Sequence, residues 1–261
     1  MKVGIVTGSG TYALPGFADA VARDVATRFG TARVTEGIWA DVEAVHVSRH
    51  GEGHERLSSG VLHQANVLAL AEAGVDCVLA VTVCGALDPA LELGSLIVFD
   101  DLHFLANRLP DGSLCTLYTE PGMPGRGHWI YESPFAPELR AALLEAAREA
   151  GHPVVDGGCY GHVDGPRFNT RAEIRSLAQA GVTAVSQTAG PETVLCGEAE
   201  LPYALLGYAT DYANGVADEP TPVETLIELI GRSGGVFADT LRRAAGKVHA
   251  AAAVGTHFRF D

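Results

Sequence analysis

The stretch "KVGIVTGSG", residues 2–10, decides the fold. Val3, Ile5 and Val6 make a short apolar run, and the segment closes on Thr7, Gly8, Ser9 and Gly10. A run this short, ended by glycines, reads as a buried strand feeding a turn. Working outward, "DCVLAVTVCGAL" (76–87), "GSLIVFDDLHF" (94–104), "AVSQT" (184–188) and "YALLGYATDY" (203–212) read as further strands. Amphipathic stretches lie between them. "SSGVLHQANVLALAEAG" (58–74) has apolar residues at helical spacing and a stop at Gly74. "APELRAALLEAAREAG" (136–151) has Pro137 in its first turn and Gly151 beyond its end. "RAEIRSLAQAG" (171–181) is a short helix, and residues 221–253 form a helical region expected to break near Gly234 and Gly235. Strands alternating with helices predict an α/β fold, with a mixed, largely parallel central β-sheet flanked by helices.

Composition bounds the rest. The 261 residues are 47% hydrophobic and show no linker or repeat, so one domain is expected over residues 1–261. No apolar run is long enough to predict a membrane span. The opening places Gly and Ser where a signal peptide needs apolar residues, so a cytoplasmic protein is expected. A formal net charge of −14 argues against nucleic acid as a partner. The five cysteines have no CxxC spacing and are expected as free thiols, without a zinc cage or a disulfide framework.

In sheets of this kind ligands gather beyond the carboxyl ends of the strands. The segments "TGSG", "RHGEGH", "TVCGA", "SQT" and "ATDYAN" all follow apolar runs, which predicts one shared site. Glycines and the Ser9 hydroxyl in "TGSG" suit an anion, although a plain strand-ending turn reads equally well. In "VSRHGEGH" (47–54), His50 and His54 stand four apart, as zinc ligands on a helix would. Gly51 and Gly53 oppose a helix there, and no third ligand is evident. Arg49 offers a planar charged fork and His50 a further donor, so an anion site is the better reading, against a solvated loop as the bland one. Thr82 precedes Gly85 at a strand end, where a strand threonine is the ordinary reading. Phe168 offers a stacking face and Asn169 a hydrogen-bonding group, against a core Phe and a helix cap. Asp211 ends a buried run, where a carboxyl must be paired, protonated or bound to something; a cap or turn Asp is the alternative.

Taken together, "GSG", "RHGEGH", "HQAN", "TVCGAL", "GPRFNTRAE", "TAGPE" and "ATDYAN" resemble, in order and spacing, the trimeric purine nucleoside phosphorylases. Within them the chain is most similar to the 5′-methylthioadenosine phosphorylase branch, from about residue 3 to about residue 230. The resemblance implies the nucleoside phosphorylase fold and cleavage of a purine from ribose by inorganic phosphate. Phosphate is then a co-substrate, with no cofactor and no metal. It implies phosphate contacts from Ser9, Arg49, His50, Thr82, Thr188 and the Val83 backbone. Phe168 would lie against base or sugar, and Asn169 and Asp211 would face the base. His128 would be lent by a neighbouring subunit of a homotrimer, and Val223, Leu226 and Ile227 would line an apolar 5′ pocket. Asp211 and His50 are the candidate catalytic residues. A buried Asp211 is expected to hold a raised pKa and donate to purine N7, and Asp here favours adenine-type bases where Asn would suit 6-oxopurines.

Two positions depart from the family pattern. Gln187 stands where a methionine usually lies under the ribose, and Ala213 stands where the adenosine-specific branch has a second Asp, with Asn214 next to it. The expected substrate is therefore 5′-methylthioadenosine or a related adenosine. The alternatives are a 6-oxopurine nucleoside phosphorylase (inosine, guanosine or methylthioinosine), a hydrolytic nucleosidase, and a non-catalytic purine-binding protein.

Overall fold

A computed structural model describes residues 1–260. The opening run forms strand β1 (Lys2–Thr7), followed by β2 (Ala18–Thr27), β3 (Gly30–Trp39) and β4 (Val42–Ser48). Helix α1 (His63–Glu72) leads to β5 (Cys77–Ala86), β6 (Leu96–Val98), β7 (Asp101–His103) and β8 (Gly127–Tyr131). Then come α2 (Pro137–Glu149), β9 (Val154–Asp156), β10 (Cys159–His162), α3 (Arg171–Gln179), β11 (Val182–Ser186) and α4 (Ala189–Glu198). The chain continues through β12 (Tyr203–Tyr212), α5 (Val223–Ala245) and β13 (Gly255–Arg259).

All strands but two join an 11-stranded mixed sheet; β8 and β13 form a separate antiparallel pair. Parallel pairing of β4, β1, β5 and β12 makes the centre, and β2 with β3 adds an antiparallel extension at one edge. Side chains of the central strands alternate between two cores, as period two requires. Val78 and Ala80 of β5 pack with Leu70 of α1 and Leu195 of α4, whereas Cys77, Leu79 and Val81 pack with Leu143 of α2 and Phe237 of α5. The result is helix, sheet, helix. All five cysteines are free thiols.

Several elements differ from the sequence expectation, each for a local reason. Residues 94–104 form two strands rather than one, since the chain leaves β12 after Val98 and rejoins the sheet beside β10. Residues 58–60 form a 3-10 turn, so helix α1 begins only at His63. Helix α4 has little amphipathic pattern because most of its residues are buried. Strand β2 lacks a buried alternating face because it lies at the sheet edge and is exposed over most of its length. Helix α5 runs unbroken through Gly234 and Gly235.

The sheet forks at β5, and the fork places the site. Strand β1 covers one edge of β5 only as far as Ala80, and β11 takes that edge over at Gly85. Val81 to Cys84 therefore have no strand partner on that side, while β12 continues along the other.

Candidate active site

A cavity of about 280 Å³ opens at the fork. Ser9, beyond the end of β1, lines it, with Arg49 and His50 beyond β4, Thr82 and Val83 in the unpaired part of β5, and Thr188 at the start of α4. Six residues expected around one anion thus line one cavity. The turn that carries Ser9 closes through Thr11 N–H donating to Gly8 O at 3.0 Å. Gly10 sits at φ +80°, a conformation that disfavours any side chain.

Arg49 is buried and fully oriented. Its Nε donates to Glu192 Oε1 at 2.6 Å and its Nη2 to Glu192 Oε2 at 2.8 Å. Nη1 donates at 2.7 Å to Val81 O, on the strand edge that β1 leaves open. Tyr203 Oη also donates to Glu192 Oε2, at 3.2 Å. Burial opposes the guanidinium's charge, but the neighbouring Glu192 carboxylate outweighs it and holds the Arg49 pKa above the ordinary arginine value. Glu192 escaped the residue-by-residue reading; the signal was that an arginine ending a buried strand requires a counter-charge.

His50 Nδ1 donates to Arg56 O at 2.8 Å. Its ring stacks on His54, with centroids 4.2 Å apart and planes at 14°. Stacked rings direct their nitrogens past each other, so the two imidazoles do not converge on one ion. Burial, and then the charge of Arg49, push the His50 pKa down to about 4, so the ring is neutral near pH 7. His54 also lines the cavity, held by Tyr12 Oη at 3.1 Å from its Nδ1.

Asp211, Ala213, Asn214, Phe168 and Asn169 also line the cavity. Phe168 is 61% exposed at the mouth, so it is not a core residue. Asn169 does not cap α3. Thr170 does, accepting from Glu173 N–H while its own N–H donates to the Glu173 carboxylate. Asn214 Nδ2 donates to Asn169 O at 2.7 Å and joins the two loops. Asp211 is 9% exposed and accepts from Thr210 Oγ1 at 2.9 Å through Oδ1, which leaves Oδ2 on the side of Gly85. Burial raises the Asp211 pKa, with the Thr210 hydrogen bond pulling the other way.

Gln187 lines the cavity as well. Its Oε1 accepts from Ser58 Oγ at 2.9 Å, and its Nε2 donates to Arg167 O at 3.1 Å. Both halves of the amide are engaged, so Gln187 ties the end of β11 to two loops.

Three expected residues lie outside this cavity. Leu226 of α5 faces in and Ile230, one turn on, does too, but Val223 and Ile227 are 63% and 65% exposed and point away. The helix therefore presents Leu226 and Ile230 to the cavity, where Val223, Leu226 and Ile227 were expected. His128 lies on β8, with its ring 5.3 Å from that of Phe260, and does not line the cavity of its own chain.

A family model described as "Phosphorylase superfamily" matches residues 2–246. The chain belongs to this superfamily. It is 38% identical over 219 residues to the S-methyl-5′-thioadenosine phosphorylase of Mycolicibacterium smegmatis, covering 83% of this chain and 79% of that one. It is 32% identical over 233 residues to the 6-oxopurine nucleoside phosphorylase of Pyrococcus furiosus, with 88% and 86% covered. A methylthioadenosine phosphorylase from Schistosoma mansoni, solved in complex with adenine, superposes with a TM-score of 0.85 at 30% identity, covering 94% of this chain and 91% of that one. Phosphorylases of both base classes are thus among the relatives, and the fold is that of a nucleoside phosphorylase.

Proposed function

We propose that this phosphorylase cleaves the N-glycosidic bond of a purine nucleoside with inorganic phosphate, and that its substrate is 5′-methylthioadenosine or a related 5′-modified adenosine. The products are the free purine and a 5-modified ribose 1-phosphate. One observation carries the reading: a buried carboxyl with a raised pKa, Asp211, stands in the same cavity as the Ser9, Arg49, His50, Thr82 and Thr188 wall.

Departure of the purine leaves cationic character on the sugar, as in glycoside cleavage. Phosphate held under the sugar stabilises that charge and is already positioned to attack. The leaving purine needs a proton or a hydrogen bond at N7. Asp211, whose pKa burial raises, supplies it from Oδ2, since Oδ1 is engaged by Thr210. Gln187 supports the sugar, with one N–H and one lone pair of its amide left for hydroxyls. Leu226 and Ile230 form the apolar wall for the 5′ group. A homotrimer in which His128 completes a neighbour's site is part of the proposal. Ile130 on β8 and Phe258 on β13, each 54% exposed, make an apolar surface beside His128 suited to a subunit contact. Among the described residues no helix is long and apolar enough to cross a membrane. The proposal places the enzyme in the cytoplasm, acting in purine salvage.

Ala213 favours a second reading. A methyl where a second carboxylate would stand removes one acceptor for a 6-amino group, and the Asn169 and Asn214 amides serve a 6-oxopurine. Cleavage assays with methylthioadenosine, adenosine, methylthioinosine and inosine, read by the base released, separate the two. Adenine as the preferred product supports the first reading; hypoxanthine replaces it with the second.

A further inference from the structure

Building on the purine reading above, we infer that Gln187 is a positioning residue for the base: its amide latches residues 163–169, the loop that carries Phe168 and Asn169, to Ser58. A methionine, the residue usual at this place in the family, has no amide to do so.

His162 and Ser186 are register partners at the carboxyl ends of the parallel strands β10 and β11, so the chain leaving β10 begins beside Gln187. The loop is fixed at its start, where Val163 N–H donates to Ser186 O at 3.1 Å, and at its end, where Asn214 Nδ2 donates to Asn169 O at 2.7 Å. Between these anchors Gln187 Nε2 donates to Arg167 O, the carbonyl immediately before Phe168. The other half of the amide, Oε1, accepts from the buried Ser58 hydroxyl. Gly165 packs against that second bond, for a Cβ there would collide with both Gln187 Oε1 and Ser58 Oγ. One side chain thus joins the end of β11, residue 58 and the loop.

Other ties on this stretch hold it less. Arg167 pairs with Glu173 at 2.7 Å, but the two side chains are 63% and 39% exposed, and an exposed ion pair is weak in water. It also binds the loop to its own following helix, α3, and not to the sheet. Phe168 stands exposed at the mouth, so packing does not fix its ring. Its place is set by the backbone on either side, and the Arg167 carbonyl is the near side. A loop that leaves the cavity binds a base only in the fraction of molecules where it is closed, and the apparent affinity falls by that fraction. Loss of two neutral hydrogen bonds is enough to change that fraction about tenfold. A free purine separates this role from the sugar contact of the same amide, because it has no sugar.

Calorimetric titration with free adenine, and in parallel with free hypoxanthine, tests the latch on the wild type, Gln187→Met, Ser58→Ala and the double variant. Inorganic phosphate is titrated into the same four proteins. For whichever base the wild type binds, Gln187→Met is expected to weaken binding about tenfold and Ser58→Ala about threefold. The double variant is expected to match Gln187→Met alone, since Ser58 acts through the amide. Phosphate affinity is expected to stay within about twofold throughout. Base affinity unchanged in Gln187→Met overturns the latch and leaves the purine reading standing. Additive losses in the double variant, or an equal loss for phosphate, overturn it too. A wild type that binds neither base removes the purine reading and the latch with it.

Discussion

Asp211 is the residue at which sequence, burial and chemistry meet most closely. A carboxyl at the end of a strand buried on both faces has little solvent to support its charge, and its pKa rises accordingly. In the proposed reaction the protonated form assists N7, so turnover is expected to fall as pH rises through this raised value. Asp211→Asn is expected to lower kcat for adenosine substrates by about 10² to 10⁴, the range of a lost general acid, and to shift preference toward 6-oxopurines. It is also expected to raise thermal stability above the ordinary carboxyl pKa. The unfolded chain loses this proton first, so the raised folded-state value costs stability that grows as pH climbs from the unfolded pKa to the folded one, and the amide has no such cost. Paired kinetics and melting curves check both; an unchanged base preference would remove Asp211 from base selection. Arg49, His50 and Asp211 were legible in the sequence because polar groups at the ends of apolar runs are uncommon and demand a partner. The partner Glu192 was less legible, since the chain pairs it with Arg49 across 143 positions.

Among the elements, α5 shows where pattern reading fails. Two adjacent glycines signal a break, yet the helix is continuous and only one of the pair has a packing role. A Cβ at Gly234 would run into the Gly10 carbonyl, and Gly10 itself packs on Ile230 O and Ser233 Oγ. Helix α5 thus rests directly on the turn that carries Ser9. Gly235 has open space around it. Gly235→Ala is expected to stabilise the helix by up to about 1 kcal/mol with unchanged kinetics, from helix propensity alone. Gly234→Ala is expected to displace the Ser9 turn and raise the KM for phosphate, with a smaller effect on the KM for nucleoside. Equal kinetics for the two variants would show that the contact does not position the site. The same helix brings Leu226 to the cavity and leaves Val223 and Ile227 off it. All three fit an apolar helical spacing, and only the rotation of α5 against the turn, a tertiary property, selects the 226/230 ridge.

At the scale of the molecule, the alternation of strands and helices was legible, and the fork at β5 was not. A fork leaves no mark on one strand's sequence, because it depends on where two other strands begin and end. Acid stability follows from the histidines. His46, His50 and His63 are buried and His162 is half-buried; burial, followed in the first three by the charge of Arg49, lowers their pKa values to about 4, 4, 3 and 3. The unfolded chain binds protons at these rings below its ordinary histidine value of about 6.5, while the folded chain does not until about pH 4. Stability is therefore expected to fall as pH drops through that window, by on the order of 1.4 kcal/mol per pH unit for each fully uptaking ring. Urea melts between pH 7 and pH 4 check this, and a flat profile would contradict the buried neutral state. The central claim is that one cavity holds a nucleoside above an oxyanion that attacks it. Phosphorus NMR of a reaction with methylthioadenosine tests this most directly. One pentose 1-phosphate is expected for each adenine released, and no release without phosphate; adenine released with free pentose, at a rate indifferent to phosphate, would contradict this.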